Sequence, residues 1–128
     1  MSVSAIFMAV LGLAASFLPQ EILLYLGIAP TALATLLVQI SGALYLGFAI
    51  LDWMARGVLI GGIYSRPLAL GNFLHFAVVA ITLVKLLFEL RIPLVIAGAA
   101  AYCVLAVWFG LVLFTHPGTR SAQVPTLQ

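Results

Sequence analysis

The side chains of this chain that could do chemistry are few, and most lie inside long apolar runs. Gln39, Tyr45 and Asp52 occupy one run, Asn72 and His75 occupy the next, and Arg56 and Arg66 flank the connection between them. A histidine can carry a proton or contact a ligand. A carboxylate or a guanidinium can fix an ionic group. Such groups are costly in lipid, so each is a functional hypothesis by default. At about 100° per helical residue, Asn72, His75, Thr82 and Glu89 share one face, with Lys85 beside them. This polar stripe is expected to face other helices rather than lipid. Gln39, Tyr45, Asp52 and Arg56 are similarly related. Asp52 and Arg56 stand four residues apart and are expected to pair locally. The candidate ligand-binding set is therefore His75, Asn72, Asp52, Arg56, Arg66, Tyr45 and Gln39, gathered between the second and third helices. The competing account is structural: interhelical hydrogen bonds worth ~0.6 kcal/mol each, and charges that set depth and orientation.

The elements that must position these residues follow from composition. Of 128 residues, 66% are hydrophobic and 6% are charged. Soluble domains carry about 25% charged residues. A soluble fold of this composition would expose large apolar patches, whereas a bilayer solvates them. A spanning helix needs ~20 apolar residues. The expected fold is all-α, an integral membrane four-helix bundle, with helices over 3–18, 31–55, 67–90 and 93–115. Residues 1–118 form that domain, and 119–128 are a polar, disordered tail. Open strands cannot satisfy their backbone in lipid, which excludes β-structure here.

Helix 1 is slightly short. Pro19-Gln20-Glu21 interrupts it and starts a short interfacial helix over 20–26, ended by Gly27. One continuous helix kinked at Pro19 is the alternative. The first run lacks a preceding Lys or Arg, so it reads as a retained helix rather than a secretory signal. The connection 56–67 is polar but contains Val58, Leu59, Ile60 and Ile63, consistent with a dip into the interface, and His116-Pro117-Gly118 stops the fourth helix. Arg56, Arg66 and Arg120 face Lys85 and Arg91 across the membrane, which favours cytoplasmic termini. Gly12 and Ser16, Ala43 and Gly47, and Ala97 and Ala101 have the spacing of close helix contacts, within one subunit or between copies of a homo-oligomer.

Several functions are disfavoured. The net charge of +2 offers no basic patch for nucleic acid. Cys103 is the single cysteine and reads as a small buried hydrophobe. No spacing of His, Cys or carboxylates suits a metal. His75 and His116 differ in depth, which argues against haem, and no cofactor is expected. No catalytic motif appears, so no catalytic residue is assigned.

Pro19-x-Glu21 with Leu26-Gly27, then Gly42-Ala43-Leu44-Tyr45-Leu46-Gly47, Trp53-Met54-Ala55-Arg56 and Arg66-Pro67-Leu68 with Asn72 together resemble small uncharacterised bacterial four-helix membrane proteins, loosely similar to DoxX-like proteins. The likeness covers about residues 10 to 80. It implies a four-helix fold in a bacterial inner membrane and no particular activity. The expected function is a membrane protein that binds a lipid or small hydrophobic molecule, or an accessory subunit. A small oligomeric transporter or channel is the first alternative. A membrane enzyme on a lipid-soluble substrate, with His75 as acid or base, is the second.

Overall fold

A computed structural model describes residues 1–57 and 65–115. Their regular structure is all helical: α1 (Ser2–Phe17), α2 (Pro19–Tyr25), α3 (Ala32–Met54), a 3-10 turn (Ala55–Gly57), α4 (Ser65–Leu87) and α5 (Pro93–Thr115). The middle of the 56–67 connection, the stop at His116 and the tail 119–128 lie outside the described residues.

Local chemistry sets the breaks. Leu18 leaves the helical region at φ −124° and ψ 43°, and Pro19 takes the first position of α2, where no backbone donor is needed. The axes of α1 and α2 differ by 95°, so Pro19 separates two helices and the continuous kinked helix is ruled out. Gly27 closes α2 with φ 73°, a left-handed conformation that glycine adopts without strain. Its amide donates to the Leu24 carbonyl at 3.0 Å, and the Ile28 amide donates to the Leu23 carbonyl at 2.8 Å. These two bonds satisfy carbonyls that the helix end would otherwise leave open. At the start of α3, Thr31 Oγ1 accepts from the Ala34 amide at 3.2 Å.

Helix α4, the third of the four expected spans, differs from its expectation over 67–90 at both ends. It begins at Ser65 rather than Pro67, because a proline in the first turn forfeits no helical hydrogen bond. It stops at Leu87 rather than residue 90. The next amides tighten to three-residue closures, Phe88 to Lys85 at 3.2 Å and Glu89 to Leu86 at 3.0 Å. Pro93 then opens α5.

Three segments, Ala32–Gly57, Arg66–Leu87 and Pro93–Thr115, are long and apolar enough to cross a membrane, and α1 with α2 passes only as a bent pair. Helices of 23 residues reach ~34 Å at the helical rise.

Side-chain contacts give the topology. Ser4 meets Asp52, and the Gly42 backbone lies against Ser16, so α1 and α3 run antiparallel. Gly110 abuts Phe73 and Gly98 abuts Leu83, so α4 and α5 are also antiparallel. Asp52 reaches Asn72, and Tyr45 meets His75, which joins α3 to α4. One core unites the four, with Met8 from α1, Ala49 from α3, Ala69, Phe76 and Ala80 from α4, and Tyr102 and Phe109 from α5.

The α1–α3 seam is the tightest. A Cβ added at Gly42 would lie 2.8 Å from the Ser16 amide nitrogen and 3.0 Å from the Ala15 carbonyl carbon. One added at Gly12 would lie 2.9 Å from the Leu46 amide nitrogen. Gly12 and Ser16 thus lie in a close helix contact, but they meet Leu46 and Gly42 rather than Ala43 and Gly47. The Ala43 and Gly47 pair faces outward, and a Cβ on Gly47 would meet nothing within 4 Å.

Candidate functional site

The backbone approach at Gly12 and Gly42 carries a consequence one end further along. Ser4, Met8 and Gly12 recur every four residues and form the buried stripe of α1. Gly42, Ala49 and Asp52 form that of α3. When the glycines touch, Ser4 is delivered onto Asp52. Ser4, Asp52 and Asn72 have 1%, 0% and 0% of their surface exposed.

The three residues form a hydrogen-bonded cluster. Ser4 Oγ contacts Asp52 Oδ2 and lies 2.7 Å from the Met1 carbonyl. A hydroxyl has one proton. The Met1 carbonyl already accepts from the Ala5 amide at 2.9 Å, so the carboxylate is the acceptor in greater need. Asn72 Nδ2 donates to Asp52 Oδ1 at 2.5 Å and to the Leu68 carbonyl at 3.2 Å. The carboxylate is therefore held by neutral donors. The expected Asp52–Arg56 pair does not form. Arg56 follows the change from α-helix to the 3-10 turn, which advances ~120° per residue instead of ~100°. It is exposed, and its guanidinium lies 3.8 Å over the Trp53 ring.

His75, one turn beyond Asn72, is enclosed by rings. Tyr45, Phe48, Phe76 and Tyr102 have centroids 5.4, 5.5, 5.3 and 5.9 Å from the imidazole. Tyr102 donates its hydroxyl proton to the Tyr45 oxygen at 3.0 Å. His75 Nε2 and Asn72 Oδ1 are buried without a partner.

The structure brings together Asp52, Asn72, His75 and the half-buried Tyr45. It leaves Gln39, Arg56 and Arg66 exposed. Gln39 precedes Asp52 by 13 positions, which is ~20 Å along the helix. The polar stripe of α4 also divides. Asn72 turns inward, whereas Thr82, Lys85 and, past the end of the helix, Glu89 are exposed. Thr82 satisfies its hydroxyl on its own helix, at the Val78 carbonyl 2.9 Å away.

Two participants escaped sequence reasoning. Ser4 had a signal, since it lies two turns before Gly12 on the same face. Tyr102 had little, because α5 is apolar on all sides.

Among the described residues, two apolar grooves flank the cluster. One, of about 330 Å³, lies between α1 and α5 and is lined by Val3, Ser4, Val104, Leu105, Trp108 and Phe109 among others. The second, of about 370 Å³, lies between α1 and α3 and includes Ile6, Ala9, Leu46, Ile50 and Trp53. Ser4 is thus common to the first groove and to the buried carboxylate. The groove can hold an apolar body beside Ser4, whose own hydroxyl proton is committed to Asp52. No group of His, Cys, Asp or Glu side chains among the described residues is arranged to hold a metal ion.

Comparison with known proteins yields no match to a family model, to a curated protein or to a solved structure.

Proposed function

We propose that this chain is a multi-pass membrane protein, a four-helix bundle in which α1 with α2 and each of α3, α4 and α5 engage the bilayer, and that it binds a lipid or other small hydrophobic molecule in the groove between α1 and α5. The membrane reading is supported by what the helices expose. Phe17, Met54, Phe88 and Phe114 are each at least 75% exposed. Large apolar side chains point outward along every long helix. In water such a surface drives aggregation, and in lipid it is solvated. Arg56 over Trp53 suits a membrane–water boundary, where indole rings and cations concentrate. The balance of arginines favours cytoplasmic termini, and the likeness to DoxX-like proteins favours a bacterial inner membrane.

The observation that carries the binding reading is Ser4. It lines an apolar groove and simultaneously contacts a fully buried carboxylate. Binding pockets combine mostly apolar walls with a few fixed polar groups, and this groove has that composition. Its place is between α1 and α5, beside the cluster of α3 and α4 that the polar residues indicated.

Native mass spectrometry of protein extracted from membranes tests this. Wild type is expected to carry an adduct of lipid mass. Val104→Trp, which fills the groove from an exposed position, is expected to lose most of it while keeping its helical circular dichroism. Absence of any adduct in wild type, or equal retention in Val104→Trp, would overturn the assignment.

A further inference from the structure

Asn72 poses a hydrogen-bonding problem that the described side chains do not solve. Its Nδ2 has two hydrogens, and both are committed, one to Asp52 Oδ1 and one to the Leu68 carbonyl. Both partners are acceptors, so the amide cannot be reversed. Its Oδ1 is then an acceptor by necessity. It is buried in a residue with no exposed surface, and no donor reaches it. One turn along α4, His75 Nε2 is also buried and unpartnered. Residues three apart on a helix are neighbours. Buried polar atoms are rarely left bare, and an ordered water is the common reason when protein atoms offer no partner.

The surroundings narrow the choice. Phe48 and Phe76 wall the imidazole and supply no donor. Tyr102 gives its proton to Tyr45, and the proton that Tyr45 retains does not reach Nε2, which has no partner within hydrogen-bonding distance. A metal ion would want further ligands, and none converge among the described residues. What fits is a small molecule with two O–H donors and two lone pairs.

We infer that one trapped water molecule lies between Asn72 Oδ1 and His75 Nε2. It donates to the amide oxygen and bonds the imidazole nitrogen. The consequence is a single hydrogen-bonded file that starts at Ser4, passes through Asp52, Asn72 and the water, and ends at His75 in the aromatic centre of the molecule. His75 is then tied to Asp52 through Asn72 and the water, in place of a direct contact with a ligand in the α1–α5 groove. This inference is independent of what that groove binds.

The test is magnetic resonance on the full chain in lipid nanodiscs, with histidine and asparagine labelled with nitrogen-15. A cross-peak between water protons and the His75 imidazole is expected in wild type, with Nε2 at a hydrogen-bonded shift. Asn72→Leu should abolish the cross-peak. Should that variant fail to fold, His75→Phe keeps the ring stacking and should abolish the water contact seen at the Asn72 side chain. A bare Nε2 shift in wild type overturns the proposal. So does a hydrogen-bonded shift without any water cross-peak, which would assign the donor to a ligand hydroxyl. A cross-peak unchanged in Asn72→Leu overturns it as well.

Discussion

The α1–α3 seam and the α4–α5 seam solve one packing problem in opposite ways. Between α1 and α3 the backbones touch at Gly12 and Gly42. Between α4 and α5 the space is filled by rings: Phe76 stacks on Phe109 with centroids 5.6 Å apart, and Phe73 meets Phe114 edge-on at 6.2 Å. Gly110 belongs to this second seam, but its neighbour is the movable edge of Phe73, 3.1 Å from an added Cβ. Helices in lipid associate chiefly through packing and polar contacts, since the tails are as apolar as the side chains. A backbone seam cannot adjust, and it fixes the register of the polar residues beyond it. A ring seam can repack. That difference explains why the cluster of Ser4 and Asp52 sits at the end of the glycine seam.

Substitution at the glycines should separate the two seams most sharply. Gly42→Leu places a side chain against the Ser16 amide and the Ala15 carbonyl carbon, neither of which can move without the helix. The expected cost is about 3 kcal/mol or more, at the upper end of overpacking, measured by unfolding in mixed micelles. A loss below about 1 kcal/mol would mean that the seam yields.

The polar end of the rigid seam comes next. Asp52→Ala leaves one Asn72 hydrogen without its acceptor, while the Ser4 hydroxyl can turn to the Met1 carbonyl 2.7 Å away, for an expected loss of about 2 kcal/mol. Asp52→Asn keeps the shape and one carbonyl oxygen, so it should lose less than half as much in the same assay. Equal losses would show that the charge, rather than the hydrogen bonds, holds the cluster.

The smallest effect distinguishes the ring seam from open surface. Gly110→Ala requires only that Phe73 shift by a few tenths of an ångström, so a cost under about 1 kcal/mol is expected. Gly47→Ala meets nothing within 4 Å and should be neutral or stabilising by roughly 0.5–1 kcal/mol, because alanine favours the helix. Destabilisation by Gly47→Ala in the oligomer but not the monomer would place a second copy on that face.

Much of the architecture is legible in the residues. Apolar runs long enough to cross a membrane, Pro19 between α1 and α2, Gly27 after α2, and Pro93 at the start of α5 are each readable from backbone chemistry that acts within a few positions. The grouping of Asp52, Asn72 and His75 is partly readable, because two adjacent antiparallel helices bring their joined ends together. Arg56 misleads, since the four-residue rule assumes an α-helix and the chain turns 3-10 at Ala55. Thr82 misleads because a hydroxyl can be satisfied by its own helix.

The sequence by itself therefore determined that this is a helical chain with apolar helices and few polar interruptions, since those properties are sums of local preferences. Which face of each helix turns inward, that Gly42 rather than Ala43 or Gly47 receives α1, and that Ser4 completes the site of Asp52 were decided by tertiary structure. The physical reason is that an apolar helix surrounded by apolar neighbours has almost no amphipathic signal. Its rotation is set by where two backbones can touch, and that depends on both helices at once.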